Sequence, residues 1–201
     1  MKRQSRLAGV VVLAVIGVSI LVATSEHKGS GARGPAVGSS MPVFAAPLAL
    51  STLVGDVNIS DSACGVKLKG AFTSCSALKK GQMILGFVTV SDRECAGLAD
   101  SFQLISMEYP SISPVLVGLQ GSRSQLRKFA RRAPGVTVVQ DRDGALSTRY
   151  GIAVCPTVVV AARGGEVLGT LIGSDTTNPV WLLSRVYSLI RADLLKSAPQ
   201  R

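Results

Sequence analysis

Four cysteines and one histidine carry most of the reactive chemistry open to this 201-residue chain. The cysteines are Cys64, Cys75, Cys95 and Cys155; the histidine, His27, stands far from them near the N-terminus. No zinc-type Cys-x-x-Cys array, no Ser-His-Asp set and no glycine-rich phosphate loop can be assembled from these residues. Metal, acyl-transfer and nucleotide chemistry therefore fall away, no cofactor is expected, and thiol–disulfide chemistry remains.

Cys95 has the most telling surroundings. Phe87-Val-Thr-Val-Ser-Asp-Arg-Glu-Cys-Ala96 begins as an apolar strand, turns polar at residues 91–94, and delivers the cysteine to the first turn of a helix. Free N–H groups and the helix dipole favour a thiolate at such a place. Asp92 is a good N-cap, and its negative charge opposes ionisation of Cys95 through space. Cys155 stands in Val154-Cys-Pro-Thr157, just ahead of another strand. Cys64 and Cys75 are eleven residues apart within the polar stretch Asp61–Gly81, and most simply close a local staple.

The N-terminus bears on whether such bonds can form. Lys2, Arg3 and Arg6 precede Leu7–Ala23, an uncharged apolar run. As a helix it spans about 25 Å, near the lower limit for a bilayer. Basic residues ahead of it predict an N-terminus inside and the rest of the chain outside. A cleaved signal peptide is the rival, since Ala23-Thr-Ser25 offers small residues, although the run exceeds a usual signal core. Either way the domain is exported to a compartment where disulfides persist. Residues 1–6 read as a cytoplasmic basic stub, 7–23 as anchor or signal, and 24–40, rich in Gly and Ser, as a flexible tether.

The net charge of +10 is partly the work of that N-terminus. From Met41 onward 17 basic residues face 11 acidic ones, which leaves a mildly basic domain. Much of the excess falls on one helix, where Arg123, Arg127, Lys128, Arg131 and Arg132 share a face. That face is either solvated or a docking patch for an acidic partner or lipid headgroups. No interleaved aromatics support nucleic-acid binding.

Periodicity supplies the elements that position the cysteines. Leu48–Leu53 and Val57–Ser60, about the turn at Gly55-Asp56, suggest a short hairpin. Met83–Val90 and Val115–Leu119 read as strands buried on both faces. Leu98, Phe102, Ile105 and Tyr109 recur at helical spacing, which gives a helix over about residues 93–108, stopped by Pro110. A helix runs from Ser122 or Ser124 through Arg132. Val136–Gln140 is a strand, followed by a turn and a short helix ending near Tyr150. Val158–Ala162 and Glu166–Leu171 form a closing hairpin, and Asn178-Pro179 opens the last helix.

Strand, cysteine, helix and a later Cys-Pro-Thr strand start together resemble the thioredoxin fold, most closely its membrane-anchored, extracytoplasmic members of TlpA type. There the active site reads roughly Phe-Trp-Ala-Ser-Trp-Cys-Pro-Pro-Cys, and Phe87 to Cys95 fits that frame without a gap. The second cysteine lands on Cys95 and the first on Asp92. Met41-Pro-Val-Phe-Ala-Ala-Pro47 resembles the family's lead-in, and Asp143-Gly…Tyr150-Gly-Ile-Ala-Val-Cys-Pro-Thr157 its later motif. The resemblance implies an α/β sandwich with a central mixed sheet over residues 41–196. It implies a cis bond before Pro156, which with Asp92 shapes the site, and a Cys155 close enough to Cys95 to be bridged. The expected pairing is therefore Cys64–Cys75 with Cys95–Cys155, one of three connectivities open to four cysteines.

In the family the first cysteine attacks a substrate disulfide and the second resolves the mixed disulfide. Asp92 cannot do the first job, and the Pro-x-x-x-Thr-x-x-Cys frame of a peroxidase is absent around Cys95. Two readings result. One is a membrane-tethered thiol–disulfide oxidoreductase of altered site, which uses Cys95 with Cys155 or with the Cys64/Cys75 loop and takes a protein thiol or disulfide as partner. The other is a non-catalytic binding or assembly module with structural disulfides.

Overall fold

The computed structural model of the protein describes residues 34–197. The expected membrane segment at Leu7–Ala23 lies outside them; among the described residues, no helix is long and apolar enough to cross a membrane.

Two short strands open the domain: β1 (Ala45–Pro47) pairs antiparallel with β2 (Ala71–Thr73), and helix α1 (Ser74–Lys80) follows directly. Five longer strands then build the main sheet. They are β3 (Met83–Thr89), β4 (Ser113–Leu119), β5 (Thr137–Asp141), β6 (Thr157–Ala161) and β7 (Val167–Ile172), in spatial order β5-β4-β3-β6-β7. β3, β4 and β5 run parallel, whereas β6 and β7 are antiparallel to their neighbours, so the sheet is mixed. Parallel neighbours need crossovers. The first is made by α2 (Arg93–Ala96) with α3 (Leu98–Glu108), the second by α4 (Arg123–Arg132). A short α5 (Ala145–Arg149) precedes β6, and α6 (Pro179–Ser197) closes the chain.

β3 is central because its residues are apolar on both faces. Ile84 and Val88 face one layer with Leu98, Phe102, Ile105, Leu126, Leu182 and Val186. Met83, Leu85 and Phe87 face the other with Phe44, Leu146 and Tyr150. The two-residue alternation of a strand thus splits one run between two cores. Tyr150 is fully buried, donates its hydroxyl to the Pro42 carbonyl at 2.6 Å, and burial pushes its phenol well above the ordinary value. Ser122 caps α4 in a reciprocal capping box with Gln125. Asn178 caps α6 by accepting from Val180 and Trp181.

Several elements differ from expectation. Residues 48–60 make no hairpin. Their backbone finds partners elsewhere: Ala45 and Asn58 exchange two 2.8 Å bonds, and Ala49 donates to Val138 at 2.8 Å. Two arginines of the basic helix hold the same segment. Arg123 Nη2 reaches the carbonyls of Ser51 and Leu53 at 2.7 and 2.6 Å, and Arg127 Nη2 that of Ser51 at 2.9 Å. The basic face is therefore divided: Arg123 and Arg127 are internal ties, while Lys128, Arg131 and Arg132 are exposed. The stretch expected as a polar loop over Asp61–Gly81 holds a 3-10 turn (Asp61–Gly65), β2 and α1, which Thr73 caps. The single helix expected from residue 93 is interrupted at Gly97. Residues 34–40, assigned to the tether by composition, run along β7. Gly38 donates to Val167 at 2.8 Å, and Val167 donates to Ser39 at 2.9 Å.

Candidate redox site

The register of β3 against β6 assembles the site. Phe87 lies opposite Thr157 in an antiparallel pair, so the chain two residues beyond each, at Thr89 and Cys155, meets at the same end of the sheet. From Thr89 the chain turns into α2. Asp92 stands at its N-cap, and its carboxylate accepts the N–H groups of Glu94 (2.9 Å) and Cys95 (3.1 Å). Cys95 then points inward and is 1% exposed. Cys155, in the loop before β6, is partly exposed. The two Cα atoms are 5.7 Å apart and the sulfurs are bonded.

One backbone donor serves both sulfurs. The Thr89 N–H lies 3.0 Å from Cys95 Sγ and 3.2 Å from Cys155 Sγ. The Cys155–Pro156 peptide is cis. The turn that carries it is closed by Thr157, whose hydroxyl donates to the Val154 carbonyl at 2.6 Å, and by Gly173, whose N–H donates to the Pro156 carbonyl at 3.0 Å.

A cleft of about 400 Å³ opens beside Cys155, with Thr89, Gln120, Arg142, Ser147 and Val154 on its wall; Cys95 does not border it. The acidic part of this wall lies in Asp141-Arg-Asp-Gly144, which in the sequence reads as a turn and, from Asp143, as the start of the family's later motif, with no sign of a role for Asp141. Asp141 ends β5 and is 1% exposed. Its carboxylate accepts the N–H groups of Leu146 (3.1 Å) and Ser147 (2.9 Å), which ties the start of α5 to the strand. Desolvation raises its pKa; the two backbone bonds oppose the rise, and the nearby Asp56 charge adds to it. Asp56 in turn accepts from the backbone N–H groups of Arg142 and Asp143, each at 3.1 Å. Arg142 pairs with Asp143 at 2.9 Å, and its hydrogen bond holds the Asp143 carboxyl below the usual range. An aspartate ending a strand just before a Gly-led short helix is the signal that could have marked Asp141.

The raised pKa has a sign. A carboxyl more basic in the folded than in the unfolded state binds more protons when folded, so its contribution to stability declines as pH rises above the usual 3.8. The stability difference between wild type and Asp141→Asn is expected to shift against the wild type as pH increases from there. Urea denaturation of both proteins between about pH 3 and 6 checks this; parallel pH profiles would remove Asp141 from the account.

Cys64 and Cys75 are also bonded, with Cα atoms 5.5 Å apart. They lie with Leu78, Arg163 and Gly164 beside the β6–β7 turn, at the end of β6 away from Cys155. The structure thus gathers Cys95, Cys155, Asp92 and Pro156 at one end of the sheet and keeps Cys64 and Cys75 out of that site. Among the described residues no group of His, Cys, Asp and Glu side chains could hold a metal ion.

No family model matches the sequence, and no curated protein matches it. Solved structures do match. A candidate thiol:disulfide interchange protein DsbE from Chlorobium tepidum superposes with a TM-score of 0.60 at 20% identity, over 77% of this chain and 97% of that one. The peroxidoxin BcpB of Mycobacterium tuberculosis gives 0.57 at 18% identity, over 78% and 96%. DsbF of the same organism, solved in mixed oxidised and reduced forms, gives 0.51 at 22% identity, over 59% and 87%. At these identities what is shared is the architecture. The domain has a thioredoxin-like α/β fold with a central mixed sheet.

Proposed function

We propose that this thioredoxin-like chain is exported and membrane-tethered, and that it exchanges electrons with protein thiols through Cys95 and Cys155. One observation carries the reading: two cysteines from distant parts of the chain meet beside an open cleft, bonded and sharing the Thr89 N–H. The names of the structural neighbours, a thiol:disulfide interchange protein and DsbF, support the same chemistry. In this reaction a partner dithiol is oxidised to a disulfide as the Cys95–Cys155 bond is reduced, or the reverse. Tethering rests on Lys2, Arg3 and Arg6 ahead of the apolar run, and on the Gly/Ser-rich stretch behind it. Protease added to intact spheroplasts is expected to degrade the domain; protection would place it on the inner side.

Equilibration of the purified protein in graded glutathione redox buffers, with alkylation of the free thiols, tests the redox role. Reversible opening of Cys95–Cys155 in the folded protein is the expected result. Asp92→Cys is then expected to raise dithiothreitol-driven insulin reduction about tenfold, since it adds an exposed thiol at a helix start, where pKa values fall. Unchanged turnover would detach the site from the TlpA-type frame. A specific observation favours the second reading: Asp92 caps the helix where that frame has its first cysteine. If Cys95 and Cys155 can be alkylated only after unfolding, the chain is a binding or assembly module.

A further inference from the structure

We propose that the bridge is attacked at Cys155 rather than at Cys95, so that the mixed disulfide with a partner forms on the cysteine preceding Pro156. This rests on the redox reading above and adds its polarity. In disulfide exchange the incoming thiolate must reach one sulfur from the side away from the bond being broken. Cys95 offers no such side: it is 1% exposed and packed into the apolar layer with Leu98 and Phe102. Cys155 is partly exposed and borders the 400 Å³ cleft, which Cys95 does not reach. Access, rather than charge, sets the direction: the Asp92 carboxylate, which accepts the Cys95 N–H at 3.1 Å, disfavours an incoming thiolate at Cys95 and equally the thiolate that leaves there.

The step balances within the pair and its partner. The partner thiolate bonds to Cys155 Sγ as the Cys95–Cys155 bond breaks, and the electron pair leaves on Cys95 Sγ. That thiolate keeps the Thr89 N–H, 3.0 Å away, as a donor. A second partner thiolate then attacks the partner sulfur of the mixed disulfide, and Cys155 leaves as a thiolate. The partner's two cysteines end bonded and oxidised, and Cys95 and Cys155 end reduced. In the opposite direction Cys155 attacks a partner disulfide and Cys95 resolves it. Either way, the partner is a protein or peptide whose cysteine stands on a segment exposed enough to enter the cleft.

The test uses the full-length oxidised protein and reduced glutathione. Acid quenching at short times and peptide mass mapping locate the glutathione adduct, which is expected on Cys155 by about tenfold or more over Cys95. Fast resolution could deplete the adduct, so Cys95→Ser and Cys155→Ser proteins are also titrated with dithiobis(nitrobenzoate). Cys155 in the first is expected to react at least about tenfold faster than Cys95 in the second, with the difference vanishing in urea. Glutathione on Cys95, or equal thiol reactivity in the folded variants, overturns the polarity and leaves the redox reading standing. A bridge that glutathione cannot open without denaturant overturns both.

Discussion

Cys155→Ala is expected to lower the stability of the oxidised domain by about 4 kcal/mol, the largest effect foreseen for a single side chain here. The bond closes a separation of 60 residues. In the chain-entropy account, opening a loop of that length releases about 4 kcal/mol of denatured-state freedom, against about 3 for the 11-residue separation of Cys64 and Cys75. Most of the effect acts through the unfolded chain. The variant should therefore also show a steeper urea dependence, because its denatured state exposes more surface. Urea denaturation of wild type and variant, both with Cys64–Cys75 intact, measures midpoint and slope together. A loss under about 1 kcal/mol with an unchanged slope would mean that the cross-link constrains little.

Gly86→Val is the second. Gly86 sits in the middle of β3, between Leu116 on β4 and Val158 on β6. A Cβ there would stand 2.7 Å from both Leu98 Cδ2 and Phe102 Cζ and 2.8 Å from Leu116 Cδ2, all closer than packed carbons tolerate. Valine adds two further methyls at that point, so α3 must lift from the sheet. Overpacking of this kind costs about 3 kcal/mol, with alanine costing less. Thermal or urea unfolding of the two variants gives the ranking. Because α3 continues from α2, the displacement should also loosen Cys95, and the bridge in Gly86→Val should be reduced faster than in wild type. A variant as stable as wild type would mean that Leu98 and Phe102 repack freely.

What was legible in the sequence follows the physics of repetition. β3 could be read because a strand buried on both faces is an unbroken apolar run. α3 could be read because Leu98, Phe102 and Ile105 recur at the period of a helix. Asp92 could be read as a cap because its carboxylate serves donors two and three residues away. Partners separated by long stretches of chain were not legible by that route. The arginines at 123 and 127 look like a solvated basic face until the carbonyls of Ser51 and Leu53 are seen against them. Residues 48–60 look like a hairpin because their apolar pattern says nothing of β1 and β5, where their hydrogen bonds go. The meeting of Cys95 with Cys155 came from a family frame, since no local pattern links residues that far apart. Asp141, on the wall of the cleft beside that meeting, had no such frame to announce it.

The pairing of residues 38–40 with β7 bears on solubility. A terminal strand offers a row of unpaired amides and carbonyls on which a second molecule can build, and soluble proteins blunt such margins. Here the start of β7 is covered by Gly38 and Ser39 at Val167 and by Ser40 at the preceding Glu166, and β5 at the other margin by Leu48 against Val139. A stretch whose composition suggests a mere spacer thus helps to seal one side of the sheet. Trimming the chain to begin at Met41 would bare that side and invite the molecules to polymerise edge to edge.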